Sequence, residues 1–166
     1  MENKYIESTL ELMDFIQDSP SVYHVVENVA KILDNAGATE LKEEEPYVLE
    51  MGHSYFVRRN NSALISWKMT EDVPTGYSIS AAHTDSPSFK IKDNPEILNG
   101  NTFTTLNVEA YGGMIMAPWF DRPLSIAGRA FVKEEDGSIS ERLVDFDKDL
   151  CQIVNLCIHQ NRDINK

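Results

Sequence analysis

Ser80-Ala81-Ala82-His83-Thr84-Asp85-Ser86-Pro87-Ser88-Phe89-Lys90 is the stretch around which the rest of the chain is expected to converge. Just before it, Tyr77 to Ala82 is a run of small and apolar residues with the composition of a buried strand. The run empties into a His-x-Asp step closed by Ser-Pro. Such a place can hold a metal. On extended backbone, residues two apart share a side, so His83 and Asp85 can face one ion together or work in series. In the serial arrangement a carboxylate holds one ring N–H while the other nitrogen binds the ion. The same pair can also be a polar strand rim joined by an ordinary hydrogen bond, and spacing alone leaves these readings open. Pro87 ends the strand and restricts Ser86 to an extended conformation.

A chain of 166 residues, 42% hydrophobic and 25% charged, is long and apolar enough for one core, or one core and a small second unit. The net charge of -12 argues against nucleic acid or an anionic membrane as partner, because phosphate binding needs clustered Lys and Arg. No apolar run approaches the roughly 20 residues that span a bilayer. Met1-Glu2-Asn3-Lys4 leads into an amphipathic pattern rather than a signal segment, so a cytoplasmic protein is expected. Cys151 and Cys157, the two cysteines, fit neither a zinc-knuckle nor a redox spacing and are expected as buried thiols.

Working outward, Ile6, Leu10, Met13 and Ile16 recur at helical intervals and predict a packing helix over residues 5–17. Asp18-Ser19-Pro20-Ser21 supplies capping side chains for a second amphipathic helix carrying Val22, Val25, Val26, Val29, Ile32 and Leu33, with Gly37 as its stop. His24 within it is expected to be structural, and Glu43-Glu44-Glu45 a solvated turn. Extended segments are predicted over 54–58, 63–69 and 77–82, the first two joined by a tight Asn60-Asn61-Ser62 turn. Two helices before a run of strands give an α/β layer, so residues 1–92 read as the opening of an α/β domain. Asp93-Asn94-Pro95 breaks the pattern. Strands are then predicted over 102–111, 125–134 and 139–146, with Asp136-Gly137 a hairpin signal, so residues 93–166 read as a β-rich unit. Gly112-Gly113 reads as a turn, since no phosphate-loop lysine follows.

Ala82-His83-Thr84-Asp85-Ser86-Pro87-Ser88-Phe89-Lys90-Ile91-Lys92 resembles the signature of the M18 zinc aminopeptidases, the group that includes aspartyl aminopeptidase. Further blocks resemble that family in order. They are Asp18 to Val26, Tyr55 to Asn60, Trp119-Phe120-Asp121-Arg122-Pro123-Leu124-Ser125-Ile126-Ala127-Gly128-Arg129, and Ile158-His159-Gln160-Asn161-Arg162-Asp163-Ile164-Asn165. The resemblance implies a zinc-exopeptidase α/β domain with a β-rich dimerisation domain inserted after the first metal ligand, and homo-oligomers formed through that insertion. It implies two zinc ions per active site, bridged by a carboxylate, that activate a water against the first peptide bond of a peptide substrate. By the same resemblance His83 is a zinc ligand and Asp85 the catalytic residue that orients it. His159 is metal-associated, or reaches a neighbouring subunit's site to stabilise the substrate or the oxyanion. On its own, His159 in an apolar stretch reads as a core histidine.

Family members run to several hundred residues, and the remaining ligands are expected beyond Lys166. Glu134-Glu135, at a hairpin tip, is rejected as the catalytic pair. A zinc ion takes about four ligands, so this chain alone is expected to bind zinc poorly and to be inactive, as the N-terminal portion of the enzyme. Removal of N-terminal residues, acidic or neutral, is the activity implied. The competing reading is a non-catalytic dimerisation module derived from such an enzyme.

Overall fold

The structure, a computed structural model, describes residues 2–70, 76–100 and 102–163. In chain order its elements are α1 (Glu2–Gln17), α2 (Val22–Asn35), β1 (Thr39–Glu40), β2 (Ser54–Arg59), β3 (Ala63–Lys68), β4 (Ser88–Asn99), β5 (Phe103–Tyr111), β6 (Pro123–Leu124), β7 (Ala127–Lys133), β8 (Ile139–Asp145) and β9 (Cys151–Gln152), with a 3-10 turn at Ala117–Trp119. The fold is α/β. The chain forms two compact units: residues up to Asp85 together with Ala127–Asp145, and Ser86–Ile126 together with the residues from Phe146 onward. The division expected at residue 93 thus falls inside β4, and the β7–β8 hairpin belongs with the first unit.

In the first unit a small sheet runs β1-β2-β3, with β1 parallel and β3 antiparallel to β2. Asn60 and Asn61 make the β2–β3 turn at φ near +50°, a region asparagine tolerates, and the Ser62 amide closes it on the Arg59 carbonyl at 3.1 Å. Helix α2 lies on this sheet, and its Ala30 joins Ala38 and Phe56 in the core, with Leu33 and Leu64 packed alongside. Phe56 is only 2% exposed. The helix ends as its sequence foretells. Gly37 adopts φ +81°, its amide bonds the Asp34 carbonyl at 2.8 Å, and the Ala38 amide bonds the Leu33 carbonyl at 3.0 Å. That closure swings Ala38 into the core. The start differs from expectation: Ser21 stands at the N-cap, but its hydroxyl makes no cap bond and pairs with Nδ1 of His24 at 2.7 Å.

Charged groups then lock helix to sheet. Arg58 forks onto Glu40 (Nε–Oε1 2.6 Å, Nη2–Oε2 2.9 Å) and reaches Glu27 of α2 at 2.8 Å. The Glu40 bonds raise its guanidinium pKa above the ordinary value, against a partial burial that lowers it. Glu43 is not merely solvated, because it chelates Arg59.

The β7–β8 hairpin, turning at Asp136-Gly137 as predicted, pairs Ala127 with Asp145 through Lys133 with Ile139. Arg129 fastens it to the rest of the unit. Its side chain is 11% exposed and donates to the Asn60 carbonyl (3.0 Å), Asn60 Oδ1 (3.2 Å) and Glu141 (3.2 Å). The guanidinium lies 4.2 Å from the Tyr23 ring centre and 5.0 Å from that of Phe131.

Two expectations for this unit fail. Residues 76–82 form no strand, and Tyr77 and Ile79 are 88% and 85% exposed. An apolar run becomes a buried strand only when neighbours satisfy its backbone, and no described strand pairs with it. Likewise the apolar face of α1, Ile6, Leu10, Met13 and Ile16, is more than half exposed instead of packed.

The second unit is built on the β4–β5 ribbon. The Asp93-Asn94-Pro95 break is a bulge within β4: Ile91 pairs with Val108 and Glu96 with Leu106, so four residues oppose Asn107. Pro95 has no amide to donate, and a bulge is where a ribbon tolerates that. The Asn107 side-chain Nδ2 donates to the Asn94 carbonyl across the gap at 3.2 Å. Gly112 turns at φ +72° with Pro87 3.5 Å from where a Cβ would stand, so the glycine pair is a turn. Strand β6 pairs with β9, and Phe89 meets Trp119 edge-on at 5.4 Å. The cysteines are not both buried: Cys151 is half-buried against the Leu124 carbonyl, and Cys157 is exposed.

Candidate functional site

The His-x-Asp step follows the unpaired segment, at the end of the first unit. Between its two members Thr84 makes a bend, and its hydroxyl donates to the Ser62 carbonyl at 2.9 Å. The bond ties the step to the β2–β3 turn. His83 Nδ1 and Asp85 Oδ1 are 3.0 Å apart. An ionised carboxylate only accepts, so Nδ1 is the donor of this bond, and in a neutral ring Nε2 then carries the lone pair. The His83 side chain is 91% exposed and the Asp85 side chain 35%, so the acid is the better sheltered of the two. No hydrogen bond to Nε2 is made among the described residues. This contact fits both the serial arrangement and the polar rim that spacing left open, and differs from the one in which both side chains face an ion directly.

His159 lies in the second unit, exposed, in a turn where the Cys157 carbonyl accepts the amides of Gln160 (2.9 Å) and Asn161 (3.1 Å). The core-histidine reading fails because the apolar stretch around it is itself exposed: Val154, Leu156 and Ile158 are all largely accessible. Among the described residues no group of three or more His, Cys, Asp or Glu could hold a metal. The residues therefore fit one imidazole donor with its supporting acid, and not a complete ligand set. A concavity of about 450 Å³ at the β4 bulge, lined by Lys90, Lys92, Asp93, Asn94 and Glu109 among others, offers neither histidine nor cysteine.

Glu134, at the hairpin tip, accepts from the Ser140 hydroxyl and from Arg142 at 2.7 Å. These bonds, the serine first, hold its carboxyl below the ordinary range. It anchors the turn. Two motif residues make contacts that the sequence did not disclose: Arg129 clamps the hairpin, and Asp121 Oδ1 accepts the Asn155 amide at 2.9 Å. Their membership of the Trp119 to Arg129 block is the signal that could have flagged them.

An α/β fold presenting a carboxylate-held imidazole is that of a candidate metallohydrolase. Residues 15–166 match the family described as aminopeptidase I zinc metalloprotease (M18). The chain is 44% identical to a probable M18 family aminopeptidase 2 of Clostridium acetobutylicum, over 99% of this chain and 39% of that protein. Among solved structures it is similar to one described as a cryo-EM structure of the Ape4 and Nbr1 complex. The TM-score there is 0.83 at 38% identity, covering 94% of this chain and 30% of that one. It is also similar to the S. cerevisiae mApe1 dodecamer, with TM-score 0.84 at 27% identity, covering 92% of this chain and 36% of that one. The chain belongs to the M18 family of aminopeptidases. It spans 39% of the length of the curated relative quoted above. No described helix is long and apolar enough to cross a membrane.

Proposed function

We propose that this chain is the N-terminal portion of a zinc-dependent aminopeptidase that removes single residues, acidic ones preferred, from the N-termini of peptides. The observation that carries this reading is the 3.0 Å bond between Asp85 and the Nδ1 side of an exposed His83, in a chain of the M18 family. His83 would hold zinc through Nε2, together with donors from outside this chain. Two bound zinc ions supply Lewis acidity and an activated water to such a site. Asp85 holds the proton on Nδ1, keeps the lone pair on Nε2 and fixes the ring angle, so it orients a donor and does not itself touch substrate. His159 serves as a metal-associated group, or as a donor to the substrate carbonyl in a neighbouring subunit's site. Residues 1–92 are then sequence of the proteolytic domain and 93–166 that of a β-rich insertion through which the cytoplasmic enzyme forms homo-oligomers, although the β7–β8 hairpin packs with the first compact unit. The dodecamer of the similar S. cerevisiae protein supports a homo-oligomer.

Hydrolysis of aminoacyl anilides bearing Asp, Glu, Ala or Leu, measured on the full-length protein before and after chelation, tests the reading. Loss of activity with the chelator, restoration by zinc, and preference for Asp and Glu are expected. Undiminished cleavage after chelation, or equal cleavage of N-terminally blocked peptides, would refute it.

A further inference from the structure

Within the second unit, the chain leading to His159 is fastened rung by rung to the Phe120–Ser125 segment. The Lys148 amide meets Ser125 Oγ at 3.3 Å, the Leu150 amide meets the Leu124 carbonyl at 3.0 Å, and Pro123 and Leu124 pair with Gln152 and Cys151. Phe120 then bridges to Ile153. The last two rungs both belong to Asp121. Its amide donates to the Ile153 carbonyl at 2.9 Å, and its Oδ1 accepts the Asn155 amide at 2.9 Å. Asn155 Oδ1 in turn accepts the Leu156 amide at 2.9 Å, and the turn bearing His159 begins at Cys157.

Asp121 reaches these partners from the left-handed region, at φ +55°. Among non-glycine residues, Asp and Asn tolerate that conformation best, because a short polar side chain can bond locally. The position therefore asks for two things at once, a backbone that can turn left-handed and an acceptor two atoms from it. Asp and Asn meet both, Gly meets the first, and Ala meets neither. A charged acceptor also makes the stronger bond to a backbone amide.

We propose that Asp121 is a positioning residue for His159: by gripping the Asn155 amide it fixes where the His159 turn leaves the β6–β9 pair, and so what the imidazole can reach. The inference rests on the role given to His159 above, and its test separates the two. Asp121→Asn, Asp121→Gly and His159→Ala, and the Asp121→Gly, His159→Ala double variant, are made in the full-length protein. Hydrogen exchange of the peptide spanning residues 153–161 is followed by mass spectrometry alongside kcat.

In Asp121→Gly, exchange in that peptide is expected to quicken roughly tenfold, the effect of one lost charged hydrogen bond. Its kcat is expected to fall roughly ten- to a hundredfold, as misplacement of a reacting group costs, with no further loss when His159 is already alanine. Asp121→Asn, which keeps an acceptor but not its charge, should lie between Asp121→Gly and the wild type in both properties. Unchanged exchange in Asp121→Gly overturns the proposal. So does an inactive Asp121→Asn with normal exchange, since the carboxylate would then act chemically. Full activity in His159→Ala would instead overturn the role of His159, and the exchange result would still decide whether Asp121 holds the turn.

Discussion

Asp85→Asn in the full-length protein keeps the shape of the side chain that faces His83 while removing its charge. At present a carboxylate 3.0 Å from Nδ1 enforces one tautomer. A carboxamide can present either its oxygen or its NH2 group, and in the second case the ring proton moves to Nε2 and blocks the nitrogen proposed to bind zinc. A charge-assisted hydrogen bond is about twice as strong as a neutral one, a difference of roughly 1 to 1.5 kcal/mol, or about tenfold. With the imidazole 91% and the acid 35% exposed, solvent screens part of this, so the loss in zinc affinity should lie near tenfold and not above it. Turnover should fall further, about a hundredfold, because a bound but misoriented donor spoils the reactive geometry as well. The assay is competition for zinc against a chromophoric chelator, run beside kcat and KM on an aminoacyl substrate, with His83→Ala as the limit in which both zinc and activity are lost. Wild-type kcat in Asp85→Asn, or normal hydrolysis by His83→Ala, would refute the reasoning.

Arg129→Ala should destabilise the β7–β8 hairpin by about 3 kcal/mol, through lost hydrogen bonds to Asn60 and Glu141 and a lost ring contact with Tyr23, and Arg129→Lys by roughly a third of that. Hydrogen exchange over residues 127–145 measures it, and protection unchanged in the alanine variant would remove the clamp. The Glu134 carboxyl is held below its ordinary range in the folded hairpin, so its contribution is present above the ordinary glutamate pKa and is lost as the pH falls through the lowered value. Protection at the hairpin tip, corrected for the intrinsic exchange rate at each pH, should fall below about pH 4, and Glu134→Gln should weaken that fall, leaving the share due to Asp136, whose carboxyl the Ser138 hydroxyl and amide also hold low. The 166-residue chain alone, with Ile65 exposed and with Tyr77 and Ile79 exposed in a segment that no described strand pairs, should self-associate in sedimentation. A monodisperse monomer that melts cooperatively would contradict this.

Local chemistry was legible in the sequence wherever neighbours along the chain suffice. The Asn60-Asn61 and Asp136-Gly137 turns and the Gly37 stop of α2 each depend on residues at most a few positions apart. Their backbone angles and hydrogen bonds close within a single turn. The family blocks were legible for another reason, being strings of residue types that need no partner to be read.

Tertiary structure decided what distance along the chain conceals. Pro95 reads as a break, yet β5 accommodates it as a bulge, because a partner strand can absorb four residues against one. The run from Tyr77 to Ala82 reads as a buried strand, yet it lies open where no described strand pairs with it. His159 reads as a core residue, yet stands exposed in a turn. Arg129 and Asp121 read as motif letters, and only folding brings one against Tyr23 and the other against Asn155. Burial and pairing belong to pairs of segments, so a single segment states its composition and its partners determine its environment.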